Sequence, residues 1–153
     1  MNIVNEAKKE YRTYQMDIKK GHKLYRYFDQ ICTNSNNLYN TTNFYIRQVY
    51  TALNQDKTWQ PLQKEVMDHI QNNLQKMNDN QTNAYLKRLE KEKLKPMDQQ
   101  KETKLNLFDF PTKEKSFVGY NFLDCLFKTM KQKDYYSLPG QINQQVLKNV
   151  VQN

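Results

Sequence analysis

Lys23 to Leu53 reads KLYRYFDQICTNSNNLYNTTNFYIRQVYTAL, and its apolar residues Leu24, Phe28, Ile31, Leu38, Tyr45 and Val49 recur at intervals of three, four or seven. That spacing returns side chains to one face of an α-helix. It carries through Ser35 and Thr42, so it predicts one long or once-broken helix and with it a mainly α fold. The cluster TNSNN at Thr33 to Asn37 is where a kink is expected, because Asn and Ser side chains compete for backbone hydrogen bonds. Beside that stripe Asn36, Asn40, Asn43 and Arg47 are spaced by four, three and four residues and share a face. Amides and a guanidinium at that spacing suit phosphates and base edges along a groove. Tyr45 belongs with the core stripe, whereas Tyr39 and Tyr50 are free to stack on unpaired bases.

Working outward, the same period predicts a helix over Leu62 to Met77 through Val66, Ile70, Leu74 and Met77. The turn-rich NDNQTN at Asn78 to Asn83 should close it, and a further helix is expected from Thr82 to Leu94. Lys95 to Lys115, with Pro96 and Pro111, reads as a linker in which LNLFDF (Leu105 to Phe110) is an apolar anchor. Val118 to Lys131 makes the next helix, with Phe122, Leu123, Leu126, Phe127 and Met130 inward. In SLPGQINQQVLKNV (Ser137 to Val150), Ser137 is placed to cap and Pro139 to occupy the first turn. Ile142, Val146, Leu147 and Val150 then fall on one side, and Gln141, Gln144, Gln145 and Lys148 on the other. Glutamine can bond adenine N6 and N7 bidentately in a major groove, so this second side is suited to A·T pairs.

Glu10 to Lys20 has a different rhythm. Arg12, Tyr14, Met16 and Ile18 alternate with Thr13, Gln15, Asp17 and Lys19 before Gly21, which predicts a half-buried strand. A strand with two open edges needs neighbours, and no second strand is legible.

The formal net charge is +8, which favours a polyanionic partner. Residues 1–26 hold seven Lys or Arg against three Asp or Glu, whereas 54–115 hold twelve against ten. Lys8, Lys9, Arg12, Lys19, Lys20, Lys23 and Arg26 therefore form a cluster suited to phosphate contact without sequence choice. Twenty Lys against four Arg, with eighteen Asn and sixteen Gln, is also what AT-rich codon usage would yield. A solvated polar face is thus the competing reading of every amide stripe.

Other chemistries lack a basis. Cys32 and Cys125 stand alone, without the spacing of a zinc site or a disulfide framework. His22 and His69 read as surface histidines, and no paired carboxylates with two-metal spacing emerge. No run is apolar and long enough to span a membrane, and Met1 to Glu10 lacks the core of a signal peptide, so a cytoplasmic location is expected.

Two of these stretches carry a family likeness. NLYNTTNFYIRQ (Asn37 to Gln48) and SLPGQINQQVLKNV together resemble the N-terminal half of TnpB, the transposon-encoded RNA-guided DNA nuclease related to the type V CRISPR effectors. The likeness runs from about Tyr11 to the C-terminus and is strongest at these motifs. It implies a helical bundle of about five helices preceded by one strand of an incomplete wedge β-barrel. Residues 1–21 would begin the wedge, and 22–153 would form the helical recognition domain, with a linker at about 95–116. The implied partners are guide RNA and target DNA, with a second polypeptide carrying the rest of the barrel and the nuclease. The motif-reading helix would be Ser137 to Lys148, with Gln141, Gln144 and Gln145 on base edges and Lys148 on phosphate. Asn36, Asn40, Asn43, Arg47, Tyr39, Lys19, Lys20, Lys23 and Arg12 would contact nucleic acid elsewhere. RuvC-type carboxylates and a four-cysteine zinc finger have no counterpart here, which implies no catalysis and no cofactor in these 153 residues. The likeness also implies a prokaryotic cytoplasmic protein, nucleoid-associated when bound. The rival expectation is a small helical module that binds another polypeptide through its Tyr and Phe side chains.

Overall fold

Helix α1 (Tyr25–Leu53) is the spine against which α2 (Pro61–Lys93), α4 (Lys133–Tyr136) and α5 (Gly140–Gln152) pack, while α3 (Tyr120–Thr129) packs on α2 and α5. The structure is a computed structural model and describes residues 13–152. Leu38 and Val49 of α1 meet Val66, Met67, Ile70 and Met77 of α2, Leu123, Leu126 and Phe127 of α3, Tyr135 of α4 and Leu147 of α5 in one buried cluster. Each such side chain contributes about 1.5–3 kcal/mol on burial. Because Asn, Ser and Thr are indifferent helix formers, this shared core is what holds α1 helical.

The expected kink does not interrupt α1, which continues through Thr33 to Asn37. The side chains there have taken partners compatible with a helix. Thr33 Oγ1 donates to the Asp29 carbonyl at 3.0 Å, and Asn34 Nδ2 donates to the Ser137 carbonyl at 3.0 Å.

The connection from α1 to α2 is pinned by side chains. Trp59 Nε1 donates to the Ala52 carbonyl at 2.9 Å, and Gln63 Oε1 accepts from the Gln60 backbone N–H at 2.8 Å. Gln63 also donates to Thr51 Oγ1 at 3.0 Å. Pro61 begins α2, where its missing N–H costs no hydrogen bond.

The predicted turn over Asn78 to Asn83 is absent: α2 runs unbroken through it to Lys93. Tertiary contacts override the local preference of these residues. Asn78 Nδ2 donates to the Phe108 carbonyl at 2.9 Å, and Asn78 Oδ1 accepts from the Phe108 N–H at 2.8 Å. Asn80 reaches Thr129 Oγ1 at 3.4 Å, and Gln81 reaches Cys125 Sγ at 3.8 Å. With those amides engaged by neighbouring segments, they no longer compete with the helix ladder. The Asn78 clasp also docks the LNLFDF segment, whose Phe108 and Phe110 pack on the core while Leu105 and Leu107 remain exposed.

Residues 13–19 form no strand, and no strand occurs among the described residues. Tyr14 is 86% and Met16 75% exposed. Among the described residues no strand lies beside 13–19 to pair with, which leaves their backbone groups to water. Residues 10–12 of that expected strand lie outside the described residues.

Candidate nucleic-acid interface

The side of α1 away from the core is built by the four-three-four spacing itself. Asn40, Asn43 and Arg47, joined by Phe44 and Gln48, line a groove of about 370 Å³. Asn36 lies exposed one turn earlier. No acidic residue among the described ones lines the groove. Thr51 Oγ1 takes the carbonyls of Arg47, at 2.7 Å, and Gln48, at 3.3 Å, which leaves their side chains unengaged by it. Among the described residues, no ion pair or side-chain hydrogen bond ties the Arg47 guanidinium or the Asn40 and Asn43 amides. Phe44 is half-buried, with its ring edge-on to Tyr45 at 6.0 Å between centroids. The groove thus offers donors, acceptors, one fixed positive charge and an aromatic surface.

Ahead of α1 the chain makes a basic turn. The His22 N–H donates to the Lys19 carbonyl at 3.1 Å, and Gly21 sits at φ 97°, a left-handed conformation that favours glycine. Lys20, Gly21, His22, Lys23, Tyr25 and Arg26 line a second concavity of about 550 Å³, again with no acidic residue among the described ones. Lys19 is exposed beside it. Arg12, predicted to join this cluster, lies outside the described residues, as do Lys8 and Lys9.

Helix α5 bears its amides less simply than the periodicity predicts. Gln141 and Gln145 are exposed, and Gln145 Nε2 donates to Asn149 Oδ1 at 2.8 Å. Gln144 is half-buried, with its amide near the Tyr135 hydroxyl. Lys148 Nζ lies 5.2 Å from the centroid of the Tyr120 ring, a cation–π contact. The outward amides are therefore Gln141 and Gln145 rather than Gln144. Leu147 and Val150 are buried as expected, and Ile142 and Val146 pack against the core.

Ser137 does not cap α5. It ends the short helix α4, which the sequence pattern missed, with its Oγ donating to the Asp134 carbonyl at 2.7 Å. The α5 helix instead begins at Gly140, and the Pro139 carbonyl accepts the N–H of Ile142 at 2.9 Å and of Asn143 at 3.1 Å. Asn143, between the expected apolar positions, is buried and donates to the Tyr135 carbonyl at 3.1 Å.

Tyr45, Tyr135 and His69 are internal fittings. Tyr45 is buried, with its hydroxyl 2.8 Å from His69 Nδ1, and burial, followed by the charge of Glu65, pushes its pKa up to about 12. His69 is accordingly no surface histidine: it is half-buried, stacked on Tyr45 with 6.2 Å between centroids. Tyr39 is half-buried and Tyr50 exposed. Tyr135 donates to Asp124 Oδ1 at 2.6 Å, and Lys128 holds the other carboxylate oxygen at 2.6 Å. Burial first, and Asp124 second, push the Tyr135 hydroxyl well above its ordinary range.

Among the described residues no three His, Cys, Asp or Glu side chains converge as a metal site requires, and no helix is long and apolar enough to cross a membrane. No family model, curated protein or solved structure matches the chain.

Proposed function

We propose that the chain is the nucleic-acid-binding recognition lobe of a TnpB-like RNA-guided DNA-targeting protein, which holds guide RNA and a target-adjacent DNA motif. The observation that supports nucleic-acid binding is the outer face of α1, where Asn40, Asn43, Phe44, Arg47 and Gln48 meet in a groove with no acid among the described residues. The basic turn at Lys20 to Arg26 adds charge for the phosphate backbone. The family assignment rests on the two motifs at Asn37 to Gln48 and Ser137 to Val150. In this reading residues 10–20 become a strand only when a second polypeptide or segment supplies the rest of a wedge barrel. The chain works in a prokaryotic cytoplasm and adds no catalytic group to cleavage. Base pairing with the guide reads the target, and Gln141 with Gln145 on α5 reads the adjacent duplex.

The test is to purify residues 1–153, sequence any RNA that accompanies them, and measure RNA and duplex DNA binding across a salt series. Affinity should fall linearly on logarithmic axes, and combined Lys20→Ala, Lys23→Ala and Arg26→Ala should make the slope shallower by about two to three units. Failure to bind either nucleic acid at low salt overturns the reading.

A second reading, a helical protein-interaction module, is favoured by one observation: Leu24, Tyr27 and Phe28 are exposed at the start of α1. Recovery of a polypeptide rather than RNA, lost on Tyr27→Ser with Phe28→Ser, would select it.

A further inference from the structure

The shape of the α1 groove narrows what it can hold. A helix that reads a duplex projects side chains into the major groove, so its reading face is convex. The outer face of α1 instead has a depression of about 370 Å³ between Asn40, Asn43, Phe44, Arg47 and Gln48. A ligand can insert a group there. Asn and Gln each present a carbonyl acceptor and two N–H donors, and Arg47 adds a planar fork of donors. That set matches the Watson–Crick edge of a base, which is exposed in single strands and occupied in duplexes. Phe44, half-buried against the core and edge-on to Tyr45 at 6.0 Å, leaves part of its ring in the groove lining as an apolar surface for a base, and the guanidinium plane of Arg47 can cover the other side. With no carboxylate among the described lining residues, the attached phosphates meet no repulsion from them.

From this we infer that the α1 groove is a single-base site: it takes one unpaired nucleobase of a single strand and excludes paired ones. This inference rests on the nucleic-acid reading above and specifies its partner at this face. The preference is for unpaired structure over sequence, because the amides can present either donors or acceptors by rotating through 180°.

The experiment uses the full chain and a ten-nucleotide RNA of mixed sequence carrying 2-aminopurine at one central position, as a single strand and annealed to its complement. At matched salt the single strand should bind about tenfold more tightly or better, and 2-aminopurine fluorescence should change on binding as the base leaves its stacked neighbours. Asn43→Ala and Arg47→Gln should each erase most of that preference while duplex binding changes less than twofold. Phe44→Leu, which keeps an apolar side chain of similar bulk, should retain the fold by circular dichroism and still lose the fluorescence change. Equal or tighter binding of the duplex overturns the inference. So does a loss in Asn43→Ala and Arg47→Gln that is the same for both forms, an outcome that leaves α1 a general phosphate surface and the proposed function intact. Absence of binding to either form at low salt removes both.

Discussion

The outer face of α1 and the middle of α2 are made of the same residues and have opposite fates. Asn78, Asn80, Gln81 and Thr82 in α2 each hold a partner, and three of those partners belong to other segments of the chain. Asn40, Asn43 and Arg47 in α1 face a groove and hold none among the described residues. Codon usage would enrich both stretches in amides alike, yet it would not decide why one is held by other segments of the chain and the other has no such partner. The difference separates amides that organise the fold from amides available to a ligand, and mutation should separate them in the same way.

The largest effect is expected at Asn78. Its side chain makes both hydrogen bonds to the backbone of Phe108, so Asn78→Ala leaves a half-buried N–H and carbonyl to find water. The cost should be roughly 2–4 kcal/mol in urea unfolding, two lost bonds with partial desolvation. By contrast Asn40→Ala, on the outer face, should stay within about 0.5 kcal/mol of the parent. If the two variants were equally stable, the division between α1 and α2 amides would be wrong.

The inner face of α1 supplies a control with a pH signature. Burial raises the Tyr45 pKa to about 12 from an ordinary value of 10.0. The folded state holds this proton more tightly than the unfolded one, so its contribution is complete below pH 10 and is lost as pH rises toward 12. Thermal or urea unfolding followed from pH 8 to pH 12 should show the falling limb in the parent and a shallower one in Tyr45→Phe. Part of the limb should survive, because the Tyr135 hydroxyl is raised as well. Arg47→Gln, on the outer face, should reproduce the parent limb, since it lies away from both hydroxyls.

On α5 the same division falls between neighbouring glutamines. Gln141 is exposed, whereas Gln144 is half-buried against Tyr135. Gln141→Ala should relax preference at one duplex position by about 1–3 kcal/mol, the scale of a bidentate base contact, with stability unchanged. Gln144→Ala should do the reverse, lowering stability by about 1 kcal/mol for its lost half-buried packing while sequence preference persists. Both can be read in one set of duplex-binding and unfolding measurements, with guide RNA present in the former. A loss of preference in Gln144→Ala alone would return the reading role to that residue.

How much of this was legible follows from what periodicity encodes. The apolar stripes of α1, α3 and α5 identified Leu38, Val49, Phe122, Leu123, Leu126, Phe127 and Leu147 because burial of one helix face imposes a 3.6-residue rhythm. The same rhythm assembled Asn40, Asn43 and Arg47 on one side, but not the groove, whose walls also need Phe44 and Gln48. Alternation at 10–20 signalled a strand, yet pairing needs a neighbour that no local pattern supplies. The Asn78 clasp was invisible for a similar reason: its partner is thirty residues away, so local turn preference pointed to a break. His69 beside Tyr45 and Gln144 beside Tyr135 depend on how helices pack. Only the exposed or buried side of a helix is written in its own period, and which neighbour a side chain meets is not.

The smallest effect is expected at Lys148. Its ammonium lies 5.2 Å from the Tyr120 ring centroid, a contact worth about 0.5–1 kcal/mol at an exposed site. A phosphate contact by the same group adds a distinct, salt-dependent signature. If Lys148 reaches DNA, Lys148→Ala should weaken binding to all duplex sequences alike and make the salt slope shallower by about 0.9. If the lysine serves only Tyr120, the slope should stay unchanged and the loss should appear in unfolding alone. Tyr120→Leu resolves the two roles: it removes the cation–π contact and leaves the charge free, so the slope should hold in that variant even as stability drops slightly. A slope that fell in Tyr120→Leu but not in Lys148→Ala would show that the ring, and not the charge, organises this end of α5.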